Sequence, residues 1–180
     1  MQKSYRMTIA GCERDLPLCP INDSLDIAAF IMFGDVELTE KAAAALLQKC
    51  PQHDIIVTAE AKGIPLAYEM ARQGCRQYFV ARKGVKLYMR NPLAVEVKSI
   101  TTAKLQHLYL SEEEVEQIRG RRILIADDVI STGESLSAVQ RLIEEAGGTV
   151  VGSAAVLAEG DAAERDDIVF LEPLPLFPKS

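Results

Sequence analysis

Ile123-Leu124-Ile125-Ala126-Asp127-Asp128-Val129-Ile130-Ser131-Thr132-Gly133-Glu134-Ser135-Leu136 is the stretch on which the reading of this chain turns. Its apolar start, with no polar alternation, is the pattern of a strand buried on both faces, as in a parallel sheet. From Leu136 onward the apolar residues fall at helical spacing (Leu136, Val139, Leu142, Ile143, Ala146) until Gly147-Gly148 stops the helix. Ligands of open α/β sheets bind just beyond the carboxyl ends of the strands. That point here holds two carboxylates, a loop rich in hydroxyl groups and glycine, and a helix N-terminus. Backbone N–H groups and Ser/Thr hydroxyls suit a phosphate, and the helix dipole adds partial positive charge. Gly133 lets the backbone close around the anion. Asp127 and Asp128 suit something different: sugar hydroxyls that donate hydrogen bonds, or a hydrated Mg²⁺. One strand end can thus hold both the ribose and the 5′-phosphate of a single ligand.

The same pattern extends outward in both directions. Residues 54–59 form another unalternating β-branched run. Ile64-Pro65 opens a helix with Leu66, Ala67, Met70 and Ala71 inward, ending at Gly74. Residues 77–81, 149–157 and 168–171 read as further strands, so strand and helix alternate and the class is α/β with a mostly parallel sheet flanked by helices. Nearer the N-terminus, residues 5–9 and 15–18 read as short strands around Ala10-Gly11. A helix is expected from Ser24, carrying Leu25, Ile27, Ala28, Ile31 and Met32, with Gly34 as its stop. Thr39 is expected to cap the next helix, which runs to residue 47. Residues 95–100 and 104–110 read as an antiparallel pair joined near Thr101-Thr102. Ser111-Glu112-Glu113-Glu114 is a capping box. The Pro-rich residues 172–180 form a tail or a small cover. One domain is expected over residues 1–180, with N-terminal strands and helices in 1–50 and the core in 54–171.

With 180 residues, roughly 70% of the unfolded chain's surface can be buried, so a core needs neither disulfide nor metal. The net charge of −6 argues against a general nucleic-acid binder, since phosphate backbones are held by clustered Lys and Arg. Cys12, Cys19, Cys50 and Cys75 show no C-x-x-C spacing, and His53 and His107 are the two histidines, so a zinc site is not expected. Reduced cysteines, no secretory signal and no apolar run near the ~20 residues of a membrane span place the expected compartment in the cytoplasm.

Rival readings of the Asp-Asp strand fall on what surrounds it. A Walker B strand lacks its G-x-x-x-x-G-K-[ST] partner. A receiver domain has too little chain after Asp128. The segment resembles the phosphoribosyl pyrophosphate (PRPP) motif of type I phosphoribosyltransferases: apolar strand, two acidic residues, two variable ones, then Ser/Thr-Thr-Gly. The resemblance implies that Asp127 and Asp128 take the ribose hydroxyls, and that the loop from Val129 and Ile130 through Ser131, Thr132, Gly133, Glu134 and Ser135 takes the 5′-phosphate. Glu134 departs from the small residue usual there, and is tolerable if its side chain turns outward.

Glu60-Ala61-Lys62-Gly63, again between a strand and a helix, is similar to the pyrophosphate loop of adenine phosphoribosyltransferases, which often holds a cis non-proline peptide. Arg82-Lys83-Gly84-Val85-Lys86 resembles their Arg-Lys…Lys stretch, so Arg82, Lys83 and Lys86 are implied at the pyrophosphate, Lys86 with a catalytic role. Further implications are the type I fold with a small hood from the two ends of the chain, a β-lid over residues 84–104, and Mg²⁺ carried by PRPP with no direct protein ligand. A homodimer and transfer of phosphoribose to a purine base complete the set. Adenine enzymes tend to have Glu beside Tyr-Gly in the lid. Ser99-Ile100-Thr101-Thr102-Ala103-Lys104 has neither, and is at least as close to the xanthine enzymes. A PRPP-sensing regulator on the same fold is the alternative. Such proteins add a basic DNA-binding unit, whereas residues before Pro51 offer only Lys41 and Lys49 in their helices.

Overall fold

A computed structural model describes residues 4–97 and 106–179. Five strands, β4 (Ile55–Ala59), β5 (Tyr78–Ala81), β8 (Arg122–Ile130), β9 (Thr149–Glu159) and β10 (Val169–Leu174), form one sheet in the order β10-β9-β8-β4-β5. Every neighbouring pair in it is parallel. Alternate residues of each strand feed two separate cores, which is why the strands lack polar alternation. Ile56, Leu124 and Ala154 join Leu38, Leu46, Leu66 and Met70 of helices α1 (Val36–Leu47) and α2 (Ile64–Gln73). Ile55, Val57, Ile123 and Ile125 join Val139, Leu142 and Ile143 of α4 (Glu134–Glu145), together with Ile118 of α3 (Glu112–Ile118). The capping box of α3 is present, with Ser111 Oγ accepting from Glu114 N.

From β4 the chain proceeds through α2 to β5 on one side, and from β8 through α4 to β9 and β10 on the other. The strand order therefore reverses between β4 and β8, and a crevice opens at their carboxyl ends. A second sheet, β1-β2-β3-β11, is antiparallel and built from β1 (Ser4–Ile9), β2 (Cys12–Pro20), β3 (Leu25–Ala28) and β11 (Phe177–Pro178). Tyr5 packs on Phe177 with ring centroids 5.1 Å apart. Residues 172–179 thus contribute to a cover rather than a loose tail.

Three expectations need correction. The helix expected from Ser24 is strand β3, pairing Ala28 with Leu18 and Ile27 with Cys19. Ala28, Phe30 and Met32 are the buried residues there, a period of two. Leu25, Ile27, Ala28, Ile31 and Met32 fall at helical spacing while Ala28, Phe30 and Met32 fall at a period of two, and pairing with β2 and β11 decides between them. The Asn22 side chain also accepts from Ser24 N at 2.8 Å and closes a turn where the helix was to begin. Thr39 does not cap α1. Asp35 does, accepting from Leu38 N at 3.1 Å, while Thr39 donates its hydroxyl to Asp35 O from inside the helix. Strand β8 runs through Ile130, so Asp127 and Asp128 lie on the strand, Asp127 in register with Ala155 of β9, and not in the loop beyond it. The antiparallel pair expected over 95–100 and 104–110 is present in its described part as strands β6 (Leu93–Val97) and β7 (Gln106–Leu110), whose Val95, Val97, Leu108 and Leu110 are buried with Leu142 of α4. Its described base is therefore anchored. Thr101-Thr102, Lys104 and the tip of the expected lid lie outside the described residues.

Candidate active site

The two loops singled out in the sequence meet at the reversal between β4 and β8. After β8, residues 131–135 wrap a small cavity of about 70 Å³ lined also by Ala59, Asp127 and Val129. Gly133 adopts φ +81°, which an L side chain resists, and occupies the N-cap of α4 with no side-chain capping bond. The first N–H groups of α4 thus open toward the cavity, the arrangement that binds anions. Glu134, at the first helical position, lines this cavity half-buried and does not turn fully outward. Val129 and Ile130 offer only backbone, since their side chains pack into the two cores.

A larger cavity of about 390 Å³ adjoins it, sharing Ala59, Asp127, Val129 and Ser135, and is lined by Glu60, Ala61, Lys62, Lys83 and Asp128. The Glu60–Ala61 peptide is cis. Gly63 closes the loop directly against the sheet: a Cβ there would stand 2.9 Å from Asp127 Oδ1 and 3.2 Å from Asp127 Cα, and would overlap Thr58 Oγ1. The glycine is required by this close approach.

Asp128 is buried, at 2% exposure, yet charged groups surround it. Lys62 Nζ stands 3.2 Å from Asp128 Oδ2, while that oxygen has no hydrogen bond among the described residues. The ammonium lies within ion-pair reach but off the hydrogen-bonding line. Asp127 Oδ1 accepts from Asp128 N at 2.8 Å. Burial, and next the charge of Asp128, pushes the Asp127 carboxyl well above the usual carboxylate range, with Lys62 pulling it back. Glu159, ending β9, is also raised by burial and lowered by Lys62. One ammonium therefore serves three carboxylates. These carboxylates have spare acceptor capacity for ligand hydroxyls.

Residues 32–175 match the phosphoribosyl transferase domain family. The chain belongs to this family. It is 33% identical over 147 residues to a hypoxanthine/guanine phosphoribosyltransferase of Methanococcus voltae, covering 81% of this chain and 72% of that one. An adenine phosphoribosyltransferase of Rhodococcus jostii is 34% identical over 130 residues, covering 70% and 69%. The crystal structure of an adenine phosphoribosyltransferase from Thermoanaerobacter pseudethanolicus superposes with a TM-score of 0.73 over 88% of this chain and 95% of that one. At 20% identity that likeness is one of fold.

Within this phosphoribosyltransferase, the cations of the basic stretch do not all face the cavity. Lys83 lines it, whereas Arg82 and Lys86 gather on Glu60, at 3.4 and 3.9 Å from its Oε1. Lys83 N donates to Glu60 Oε2 at 2.9 Å. That backbone bond, against burial and together with the charges of Lys86 and Arg82, holds the Glu60 carboxyl below its usual range. Glu60, implied at the pyrophosphate by resemblance, lines the cavity and gathers Arg82, Lys86 and the Lys83 backbone. Removing it by Glu60→Ala has two opposed effects: one negative charge fewer near an anion site, and a basic stretch without its anchor. Exposed charge terms are worth about 1 kcal/mol or less, while misplacing binding groups is costly. The anchor is expected to dominate, raising KM for PRPP roughly three- to tenfold in steady-state kinetics; a lowered KM would show that Glu60 acts only as a charge.

The sequence reading placed a lid here, with Val97 in it, but named no site residue on this far wall. Val97, Gln106, His107 and Leu108 line the larger cavity from the hairpin. No local motif marks them, because only the antiparallel pairing of β6 with β7 brings His107 opposite Glu96 and over the crevice.

Proposed function

We propose that this chain transfers the 5-phosphoribosyl group of PRPP to a purine base and releases pyrophosphate. The observation that carries this reading is the convergence of two loops of different chemistry on one switch point, with the unpartnered oxygen of Asp128 between them. The 5′-phosphate sits against the amides of residues 131–135. Asp127 and Asp128 accept from the ribose hydroxyls. The pyrophosphate lies toward Lys62 and Lys83, with Arg82 and Lys86 behind. A base nitrogen bonds to ribose C1 as the bond from C1 to the pyrophosphate oxygen breaks, its electron pair leaving on pyrophosphate. Positive charge that builds on the sugar is stabilised by the nearby carboxylates, and negative charge on the leaving group by the cations. The oxygens of Asp128, and those of Asp127 once ionised, would also fit Mg²⁺ carried by PRPP, which would neutralise the leaving group. Val97 and Leu108 on the hairpin wall help to exclude water from C1.

The adenine and hypoxanthine/guanine relatives support a purine acceptor. Exposed Ile31, Phe33, Val36 and Tyr68 support a homodimer. No described helix is long and apolar enough to cross a membrane, and we place the enzyme in the cytoplasm. The test is pyrophosphate release from PRPP and Mg²⁺ with adenine, hypoxanthine, guanine and xanthine in turn, beside a DNA-binding assay. Release that requires one of these bases is expected. A folded protein that binds PRPP and releases no pyrophosphate with any base would return it to the sensing role.

A further inference from the structure

Parallel neighbours end side by side, so the chain leaving β9 passes the loop that follows β8; Ile130 lies in register with Ala158 there. A short 3₁₀ helix (Gly160–Glu164) comes next, pinned by Ala162, which is buried in the same core as α4. Arg165 ends that helix, its N–H donating to Ala162 O at 3.2 Å. The side chain then reaches back to the loop after β8. A Cβ built on Gly133 would stand 2.7 Å from Arg165 Nη1 and 3.9 Å from Cζ, so the guanidinium lies against Gly133. Glycine at 133 thus serves twice: it adopts φ +81° and leaves the space that Arg165 occupies.

Asp167 grips the other edge of the same guanidinium. Arg165 Nε and Nη2 donate to Asp167 Oδ1 and Oδ2 at 2.8 and 2.7 Å, a bidentate fork that fixes the plane of the group. Nη1, with two N–H groups of its own, has no acceptor among the described residues. The loop it faces is short of positive charge. No Lys or Arg lines the small cavity of residues 131–135, whereas Asp127 and the half-buried Glu134 both do. Lys62 and Lys83 line the larger cavity beside it. Backbone N–H groups and a helix terminus offer partial charges, against about −1.5 to −2 on a phosphate monoester near neutral pH. Glu134, the departure noted in the sequence, deepens that deficit, and Arg165 stands where a full positive charge would meet it.

We propose that Arg165 is a binding and specificity-determining residue for the 5′-phosphate, its Nη1 donating to a phosphate oxygen held by the amides of residues 131–135, with Asp167 aiming it. The inference rests on the transferase reading of that loop and adds to it a side chain from the next strand's exit. Its consequence is selection for a doubly charged terminal phosphate over an unphosphorylated ribose, or over a phosphate that has taken up a proton. A guanidinium that only braced Gly133 would keep the loop in shape without meeting the ligand. Such a brace would leave the ionisation of a bound phosphate untouched, whereas a direct contact favours the dianion.

The test titrates the intact protein with ribose 5-phosphate and, separately, with pyrophosphate and Mg²⁺, while the amide shifts of residues 131–135 report where ribose 5-phosphate sits. Arg165→Gln is expected to weaken ribose 5-phosphate roughly tenfold to a hundredfold, the loss of one charged hydrogen bond, and to leave pyrophosphate binding unchanged. Arg165→Lys keeps the charge without the fork and should fall between, and it carries the test if Arg165→Gln folds poorly. The ³¹P shift of bound ribose 5-phosphate separates contact from bracing. Its second ionisation, ordinarily near pH ~6, should lie roughly one unit higher in Arg165→Gln than in the native protein, because a tenfold loss confined to the dianion is one unit. The acidic groups at the loop, Asp127, Glu134 and Asp167, are common to both proteins. Native protein whose residues 131–135 do not respond to ribose 5-phosphate would overturn the reading of the loop itself, and this inference with it. Where they do respond, native affinity in Arg165→Gln, an equal loss of both ligands, or an unmoved phosphate ionisation would each overturn the role of Arg165 alone.

Discussion

Gly63→Ala is expected to abolish most of the transferase activity and to lower the melting temperature by several degrees. The added methyl group would meet Thr58 Oγ1 and the Asp127 backbone, and both belong to strands at the middle of the parallel sheet. Thr58 is fully buried, so neither neighbour can turn away into solvent. Overpacking of this kind costs about 1–3 kcal/mol. In a chain of this size each kcal/mol moves the melting temperature by roughly 2–4 °C, giving a fall of about 2–12 °C. The loss of activity should be larger in proportion. The displaced atoms are those that set Lys62 against Asp128, and a shift near 1 Å in a positioning group can cost on the order of a hundredfold. Gly84→Ala is the control: nothing stands within 4 Å of a Cβ at Gly84, so stability and activity should both be retained. A Gly63→Ala enzyme with native KM and kcat would show that the loop does not need its contact with β8.

Asp128→Asn should separate activity from stability in opposite directions. A charge-assisted hydrogen bond to a ribose hydroxyl is worth about 1.5–3 kcal/mol, so kcat/KM for PRPP should fall roughly tenfold to a hundredfold. The unliganded protein should nevertheless become more stable at neutral pH. Asp127 titrates above the usual carboxylate range in the folded state because of burial and then the charge of Asp128. A carboxyl whose folded pKa is raised binds more protons folded than unfolded, so its contribution is intact below the unfolded value and is lost as pH rises through the folded one. Asparagine at 128 removes part of that loss. The variant should gain roughly 2–4 °C at pH 7, the effect of about 1 kcal/mol, and the gain should shrink toward zero below the ordinary aspartate pKa of about 3.9. Thermal melts across pH, with PRPP kinetics on the same preparations, measure both. An equally active variant would remove Asp128 from the ribose site, and a variant less stable at pH 7 would show that Lys62 gains more from Asp128 than Asp127 loses.

The crevice was legible in the sequence because its chemistry is local. Asp127 through Ser135 lie within nine consecutive residues and Glu60 through Gly63 within four, and each run is framed by a strand and a helix that announce themselves by periodicity. The sheet was legible because both of its faces are covered, which leaves 55–57 and 123–126 uninterruptedly apolar. What failed was non-local. Residues 25–32 carry an apolar pattern compatible with either period, and only the pairing of β3 with β2 and β11 settles it. His107 reached the cavity through a hairpin partner, not through a motif. Nor could the position of Glu60 among Arg82, Lys83 and Lys86 be read from spacing, since 22 residues separate it from Arg82.

The reversal of strand order between β4 and β8 also dictates when the crevice can come into being. Ile55 lies beside Ile123 in the sheet, so the two central strands are joined across 68 residues. Units such as β4-α2-β5 can assemble from neighbouring chain, but closing so long a loop is slow and comes at an entropic cost. The site lies on the seam left by that closure, with one loop contributed by each side. A chain whose two halves have formed separately has all of these side chains and no site. PRPP bound as proposed would touch both loops and should therefore act as a clasp, slowing the parting of β4 from β8 more than the fraying of β10 at the sheet's edge.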